Sequence, residues 1–176
     1  AKDLGADLTL PATSAKDAAL AMNELGKAGL TASQAIDAAK GVLQLAAAGQ
    51  LDEARAAEIA ANALNAFKLE AADTTRVANL LAAAANASSA EVDDIALAMQ
   101  QASAVFASAK LPIEDLVTAI GEMANAGIKG SDAGTSLKQF LLSIEAPTKT
   151  AAATMKALGV EVFDTTGRLK SLPEII

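Results

Sequence analysis

Cysteine, histidine, tryptophan and tyrosine are missing from these 176 residues, and four phenylalanines are the only aromatics. Without cysteine there is no disulfide framework, no thiolate nucleophile and no redox clue to compartment. Without histidine no nucleophile–histidine pair can be assembled. With neither, a zinc site loses its usual ligands. An aromatic share of 2% leaves no stacking platform for a sugar. No run approaches the roughly 18 uninterrupted apolar residues that would span a bilayer. Basic residues are outnumbered, 14 against 21 acidic, and the net charge of −7 repels phosphate backbones, so specific nucleic-acid binding is not expected. Lysines and arginines do not gather beside an apolar stripe, so membrane binding by this segment is not expected either. The start has no basic stretch followed by an apolar block, the mark of a signal peptide. No cofactor is implied.

What is abundant is alanine, about a quarter of the chain, within a hydrophobic total of 52%. Small side chains at that density point to helices packed closely on one another. The length suffices for one domain with a real core, or two small lobes. Helical period runs almost throughout. A first helix runs from a Ser14 cap to about Lys27, with Leu20 or Ala21, Met22 and Leu25 inward. Thr31 and Gln34 make a capping box for a second, with Ile36, Leu43 and Ala47 on one face and Gly49 as its stop. A third follows Asp52 with the stripe Ile59, Ala63, Phe67, and a fourth spans about 71–86 with Val77, Leu80, Leu81 and Ala84 inward. Ser88, with Glu91, caps a fifth, in which Val92, Ile95, Met99, Ala102 and Phe106 step by three and four like the seam of aligned helices. A sixth opens near Pro112 and buries Ile113, Leu116, Val117, Ile120 and Met123. A seventh, capped by Ser131, buries Leu137, Phe140, Leu141 and Ile144, and an eighth runs from the Thr148 cap to Leu158.

One device ends several helices. Gly29, Gly127 and Gly159 are each followed by an apolar residue, as in a Schellman stop with glycine left-handed. Linkers are short, which favours antiparallel neighbours or a stacked array. Residues 24–35 echo 122–133, most visibly Glu24-Leu25 with Glu122-Met123 and Gly29-Leu30 with Gly127-Ile128. Two helix–glycine–helix corners under one constraint account for this without duplication. Past Leu158 the pattern changes, and residues 161–170, with Asp164-Thr165-Thr166-Gly167 at the turn, predict a small β-hairpin. Ser171-Leu172-Pro173-Glu174 then starts a helix capped by Ser171, with two residues to follow. Together with an opening at Ala1-Lys2-Asp3, this predicts a segment cut from a larger polypeptide.

Candidate chemistry is thin. The pairs Asp93-Asp94 and Glu114-Asp115 have the residue types of a glycosidase or metal site, but each falls in a predicted first helical turn, where carboxylates complement the dipole. Gly127-Ile128-Lys129-Gly130 matches the G-x-x-G loop with which KH domains clamp a nucleic-acid backbone; the sheet is missing and Asp132 follows at once, so a structural corner is favoured.

Ala126-Gly127-Ile128-Lys129-Gly130-Ser131-Asp132-Ala133-Gly134-Thr135-Ser136-Leu137, then Ala146-Pro147-Thr148-Lys149, Ala157-Leu158-Gly159-Val160, Val162-Phe163-Asp164 and Gly167, resembles in order and spacing the core region of phage tail tape measure proteins. Glu24-Leu25, Lys27-Ala28-Gly29-Leu30-Thr31, Asn62-Ala63-Leu64, Val77-Ala78-Asn79 and Ala84-Ala85-Asn86-Ala87-Ser88 fit as well, so the resemblance covers about residues 14–176. Lys68 stands where that pattern implies glycine. The resemblance implies a long, mostly helical protein of a phage or prophage. Its length sets tail length, its partners are tail tube and tail assembly proteins, and it resides in the virion tail after expression in the bacterial host cytoplasm. It implies no catalytic, cofactor-binding or metal residues.

The expectation is therefore an all-α chain of about eight helices, as a bundle or stacked helical array. Residues 1–13 would be an N-terminal connector, 14–160 the helical core, 161–170 the hairpin and 171–176 a truncated helix. The expected function is structural, not enzymatic, with possible self-association. The alternative is a cytoplasmic helical adaptor that binds a partner helix in a groove.

Overall fold

Alanine decides how these helices meet. The computed structural model describes residues 3, 4 and 14–175. The connector assigned to 1–13, with its Pro11, lies outside the described residues apart from 3 and 4, as does Ile176. Eight helices follow in order: α1 (Ala15–Lys27), α2 (Ala32–Gly49), α3 (Glu53–Phe67), α4 (Thr74–Ala87), α5 (Val92–Ser108), α6 (Ile113–Asn125), α7 (Gly130–Glu145) and α8 (Lys149–Ala157). A 3-10 turn, Ala71–Asp73, precedes α4, and a four-residue helix α9 (Leu172–Ile175) closes the described chain.

The helices stack in two layers. The odd-numbered ones pack in succession, α1 on α3, α3 on α5 and α5 on α7; the even-numbered ones do the same, α2 on α4 and α4 on α6. Chain neighbours such as α1–α2 and α5–α6 join the layers. The odd helices begin at Ala15, Glu53, Val92 and Gly130, so the stack repeats every 38 or 39 residues. The echoing corners belong to different steps of it, α1 to α2 and α6 to α7, so they are not equivalent positions of one repeat.

The core lies between the layers. On α5 the whole seam Val92, Ile95, Met99, Ala102 and Phe106 is buried, and Phe106 is the largest fully buried side chain. Elsewhere small residues take the inward face. Ala21 is buried while Leu20 is exposed, and on α2 Ala35, Ala38 and Ala39 are buried while Ile36 is 59% exposed. Ala47 and Phe140 also face solvent. The expected inward positions of Ile36, Ala47 and Phe140 are corrected accordingly, and of the alternatives Leu20 and Ala21 it is Ala21 that faces inward. A close seam admits the side chain that lets two backbones approach, and periodicity does not say which of two adjacent apolar residues that is.

Six helix ends close alike. The residue after the cap is left-handed or the cap itself is, and the next, apolar residue donates its N–H to a carbonyl five residues back: Leu30 to Leu25, Leu51 to Ala46, Leu69 to Leu64, Leu111 to Phe106, Ile128 to Met123 and Val160 to Met155, all at 2.9–3.1 Å. Glycine holds the left-handed position at Gly29, Gly127 and Gly159, but Gln50, Lys68 and Lys110 hold it in the other three, with φ of 52°, 54° and 61°. So Gly49 is not the stop of α2. It is that helix's last residue, and a Cβ there would come to 3.1 Å from the Leu51 and Val92 side chains, which would have to give way slightly. A side chain in the left-handed region costs on the order of 1 kcal/mol. Lys68→Gly and Lys110→Gly should therefore each raise stability by about 0.5–1 kcal/mol, read as a rise in the urea midpoint at unchanged slope. A fall would mean that these lysines contribute more through side-chain contacts than their backbone costs.

Two expected caps shift. Ser88 does not start α5; Glu91 is its N-cap, and Ser88 ends α4, where its hydroxyl donates to the Ala84 carbonyl at 2.8 Å. Ser131 lies inside the first turn of α7, because Gly130, at φ 56°, already turns the chain into the helix and Lys129 is the N-cap. Ser14 and Thr31 accept from the N–H groups of Asp17 and Gln34, and each N–H returns to its partner's side chain as a closed box. Thr148 accepts from Ala151 at 3.2 Å, and the Ser171 N–H donates to Glu174 at 3.0 Å.

The β-hairpin expected over 161–170 does not form. Among the described residues there is no strand, only a single antiparallel bridge between Phe163 and Leu169. Of this stretch only Val162 is buried, with Leu169 partly buried against the core, and a single bridge with so little packed face falls short of what a stable strand pair needs. The turn is held by one side chain instead. Asp164 Oδ1 accepts from the Thr166 N–H at 2.7 Å, the Thr166 hydroxyl at 2.6 Å and the Arg168 N–H at 3.0 Å.

Candidate functional site

The acidic pairs resolve into joints between stacked helices. Asp93, in the first turn of α5, takes Nε and Nη2 of Arg55 on one oxygen, both at 2.7 Å, and Arg55 also reaches Glu58 at 2.9 Å. Burial would lower the Arg55 pKa, but the bonds to Asp93 and Glu58 outweigh it and raise it, so the guanidinium stays charged. One layer over, Arg76 of α4 binds Glu114 in the first turn of α6 and Asp73 at 3.2 Å. Both joints span 38 residues of chain, the stack period. Asp94 accepts the Glu91 N–H at 3.1 Å as part of the α5 cap. These carboxylates are used in ion pairs and caps.

The G-x-x-G corner is occupied likewise. The Lys129 amine donates to the Ser89 carbonyl, which ties the α6–α7 corner to the α4–α5 loop. The Ser89 hydroxyl donates to the Ala124 carbonyl at 2.7 Å, and its N–H donates to Asn125 Oδ1 at 3.0 Å. With its lysine spent on the protein's own backbone, this loop has no free cation to hold a phosphate. Sequence reasoning missed both these ties and the arginine joints. The one trace of them is polar side chains recurring at 36 to 40 residues, a spacing that takes meaning only once the helices are known to stack.

Several grooves remain among the described residues. One of about 460 Å³ lies between α3 and α5 over Ala63 and Met99, rimmed by Asn62, Asn65 and Gln100. A smaller one, about 260 Å³, lies between α4 and α6 over Ala84 and Gly121. The third, about 470 Å³, is formed by α8 and the loop after it. Another, about 350 Å³, lies beside Phe67 and Leu111 and has Lys68, Arg76, Lys110 and Glu114 on its walls. No group of three or more Asp or Glu among the described residues is placed to hold a metal ion. No helix among them is long and apolar enough to cross a membrane.

The lowered carboxylate pKa values all come from exposed turns. Asp17 is held down by the Ser14 N–H and hydroxyl, Glu174 by the Ser171 hydroxyl and N–H, and Asp164 by the Thr166 hydroxyl first and then the Arg168 N–H. The Asp164 turn should therefore be fully formed above the ordinary aspartate value of 3.8 and loosen as pH falls below it through the depressed native value. Amide NMR shifts of Thr166 and Arg168 should titrate in that window and should be lost at all pH values in Asp164→Ala. Shifts that titrate unchanged in the variant would show that another group holds the turn.

The family described as phage-related minor tail protein matches residues 1–176, the whole chain. A tape measure protein of Pneumococcus phage Dp-1 is 43% identical over 174 residues, which is 99% of this chain and 15% of that protein. The chain thus spans about 15% of the length of the relative it matches. No solved structure matches.

Proposed function

The chain belongs to the family of phage-related minor tail proteins, and on that premise we propose that it is a folded helical module of a tape measure protein, a structural part of the tail that takes part in length control and tube assembly. The observation that carries this is the 43% identity, sustained over 174 residues, to a protein named for that role. The two-layer stack supports it physically: the Arg55–Asp93 and Arg76–Glu114 ion pairs each join one helix to the next of its layer, as suits an architectural part. Its proposed partners are tail tube and tail assembly proteins, and its proposed location is the virion tail after synthesis in the host cytoplasm.

In length control the parent would act as a polymer whose contour sets where the tube stops, at about 1.5 Å per helical residue. A segment already stacked into layers contributes far less length than its residue count. Deleting residues 14–160 in frame should therefore shorten tails by much less than the roughly 220 Å that 147 extended helical residues would give. It should also lower the yield of assembled tails. Electron microscopy of tails from the deletion phage decides it. Tails shortened by the full extended length would mean that the segment works as stretched ruler, and normal tails at normal yield would remove it from assembly altogether.

A further inference from the structure

One cleft runs against the acidic balance of the chain. It is the one of about 350 Å³ between the α3–α4 and α5–α6 corners. Its apolar lining includes Leu111 and Ile113, which are buried, and Phe67 and Leu69, which are partly so. Around them Lys68, Arg76 and Lys110 stand against one carboxylate, Glu114, in a chain whose net charge is −7. Arg76 is held by Glu114 and by Asp73, and Glu70 closes a capping box with Asp73, so these three carboxylates are engaged. Lys68 and Lys110 are both exposed, and neither has an ion pair with a described residue.

The same two lysines carry a second signal. Three residues other than glycine are left-handed among those described, and two of them, Lys68 and Lys110, line this cleft. Glycine would close either corner without strain, as it does at Gly29 and Gly127. Two strained corners that set the same cationic side chain beside one cleft point to a use for those side chains.

We propose that this cleft binds an acidic peptide segment of a partner protein. An apolar side chain of the segment enters over Phe67 and Leu111, and carboxylates on either side of it pair with Lys68 and Lys110. Charge complementarity selects this occupant: two cations without partners beside an apolar floor call for carboxylates next to an apolar group. The apolar wall keeps water from one side of each ion pair and so strengthens it. The lysine stems add apolar cover of their own. A nucleic acid fits less well, because the chain's net negative charge and Glu114 both repel a run of phosphates. The site follows from this chain's own surface and does not rest on the tail assignment.

Amide NMR titration of the 176-residue chain tests it. The probe is a short peptide in which leucines alternate with glutamates. A peptide with lysines in place of the glutamates and a short oligothymidylate are the comparisons. The glutamate peptide should move the amides of Lys68, Leu69, Lys110 and Leu111 with a dissociation constant of roughly 0.1–1 mM, and should bind at least about fivefold more weakly in about 0.5 M salt. Lys68→Gly with Lys110→Gly should weaken binding at least about tenfold while the urea midpoint rises, so that lost binding cannot be put down to lost folding. Lys68→Gln with Lys110→Gln, which keeps the stems and removes the charge, should weaken it as much. Amides that stay still, or that move as far with the lysine peptide, overturn the proposal, and so does binding unchanged in the glutamine pair. An oligothymidylate that moves the same amides at lower concentration assigns the cleft to phosphate and overturns it as well.

Discussion

Replacing Gly134 by alanine is expected to destabilise the fold by at least about 3 kcal/mol, against the usual direction of that substitution in a helix. Alanine normally gains about 1 kcal/mol over glycine in a helix interior. At Gly134, on α7, the added Cβ would stand 2.1 Å from the Ala98 carbonyl oxygen and 2.7 Å from its Cα. Those are backbone atoms of α5, so no rotamer change relieves the clash, and the closest-packed pair of helices in the molecule must separate. Gly41 on α2 meets the same limit, with a Cβ 2.6 Å from the Thr74 carbonyl carbon and the Thr75 nitrogen. Gly26 on α1 is the control, because nothing lies within 4 Å of its added carbon. Urea unfolding of the three alanine variants should give large losses at 134 and 41 and a gain of about 0.5–1 kcal/mol at 26. A loss under about 1 kcal/mol at Gly134 would show that α7 rides on α5 loosely enough to shift.

Phe106→Ala is the second, at about 3–5 kcal/mol. Phe106 is fully buried in the last turns of α5, the helix that touches both layers through α3, α4, α6 and α7. Removing its ring leaves a cavity that alanine-rich neighbours cannot fill, since small side chains have no reach to collapse inward. Its carbonyl also receives the Leu111 N–H that closes the α5–α6 corner, so loosening at 106 should spread to that corner. Phe106→Leu, which keeps most of the volume, should recover more than half of the loss. Equal losses for Ala and Leu would mean that the ring's shape, rather than its volume, holds the joint.

Much of the helical pattern was legible because it is local. The three-and-four stepping of Val92, Ile95, Met99, Ala102 and Phe106 needs only neighbouring residues to be read, and all five are buried. What was not legible depends on the facing helix. Gly26, Gly41 and Gly134 look alike in sequence, and only the helix opposite makes two of them indispensable. Ala35 rather than Ile36 lies in the α2 seam for the same reason. At Lys68 the corner's closure by Leu69 overrides the lysine's own backbone preference, so the missing glycine changes the strain and not the turn. The hairpin over 161–170 had the alternation and turn of strands but only Val162 and, in part, Leu169 to bury, and the pattern cannot report that. As for a site, absent residue types could be read directly, whereas the Arg55–Asp93 and Arg76–Glu114 joints could not, because each links residues that become neighbours only after stacking.

The layered order has a mechanical consequence. Among the described residues nearly every substantial pairing joins helices no more than two apart along the chain, the contact of α9 with α6 being the exception. In such quasi-linear arrays stability is a sum of neighbouring terms. Under tension applied at its ends the molecule gives way from the rim inward, the unburied α8 yielding first, in a staircase of releases instead of a single rupture.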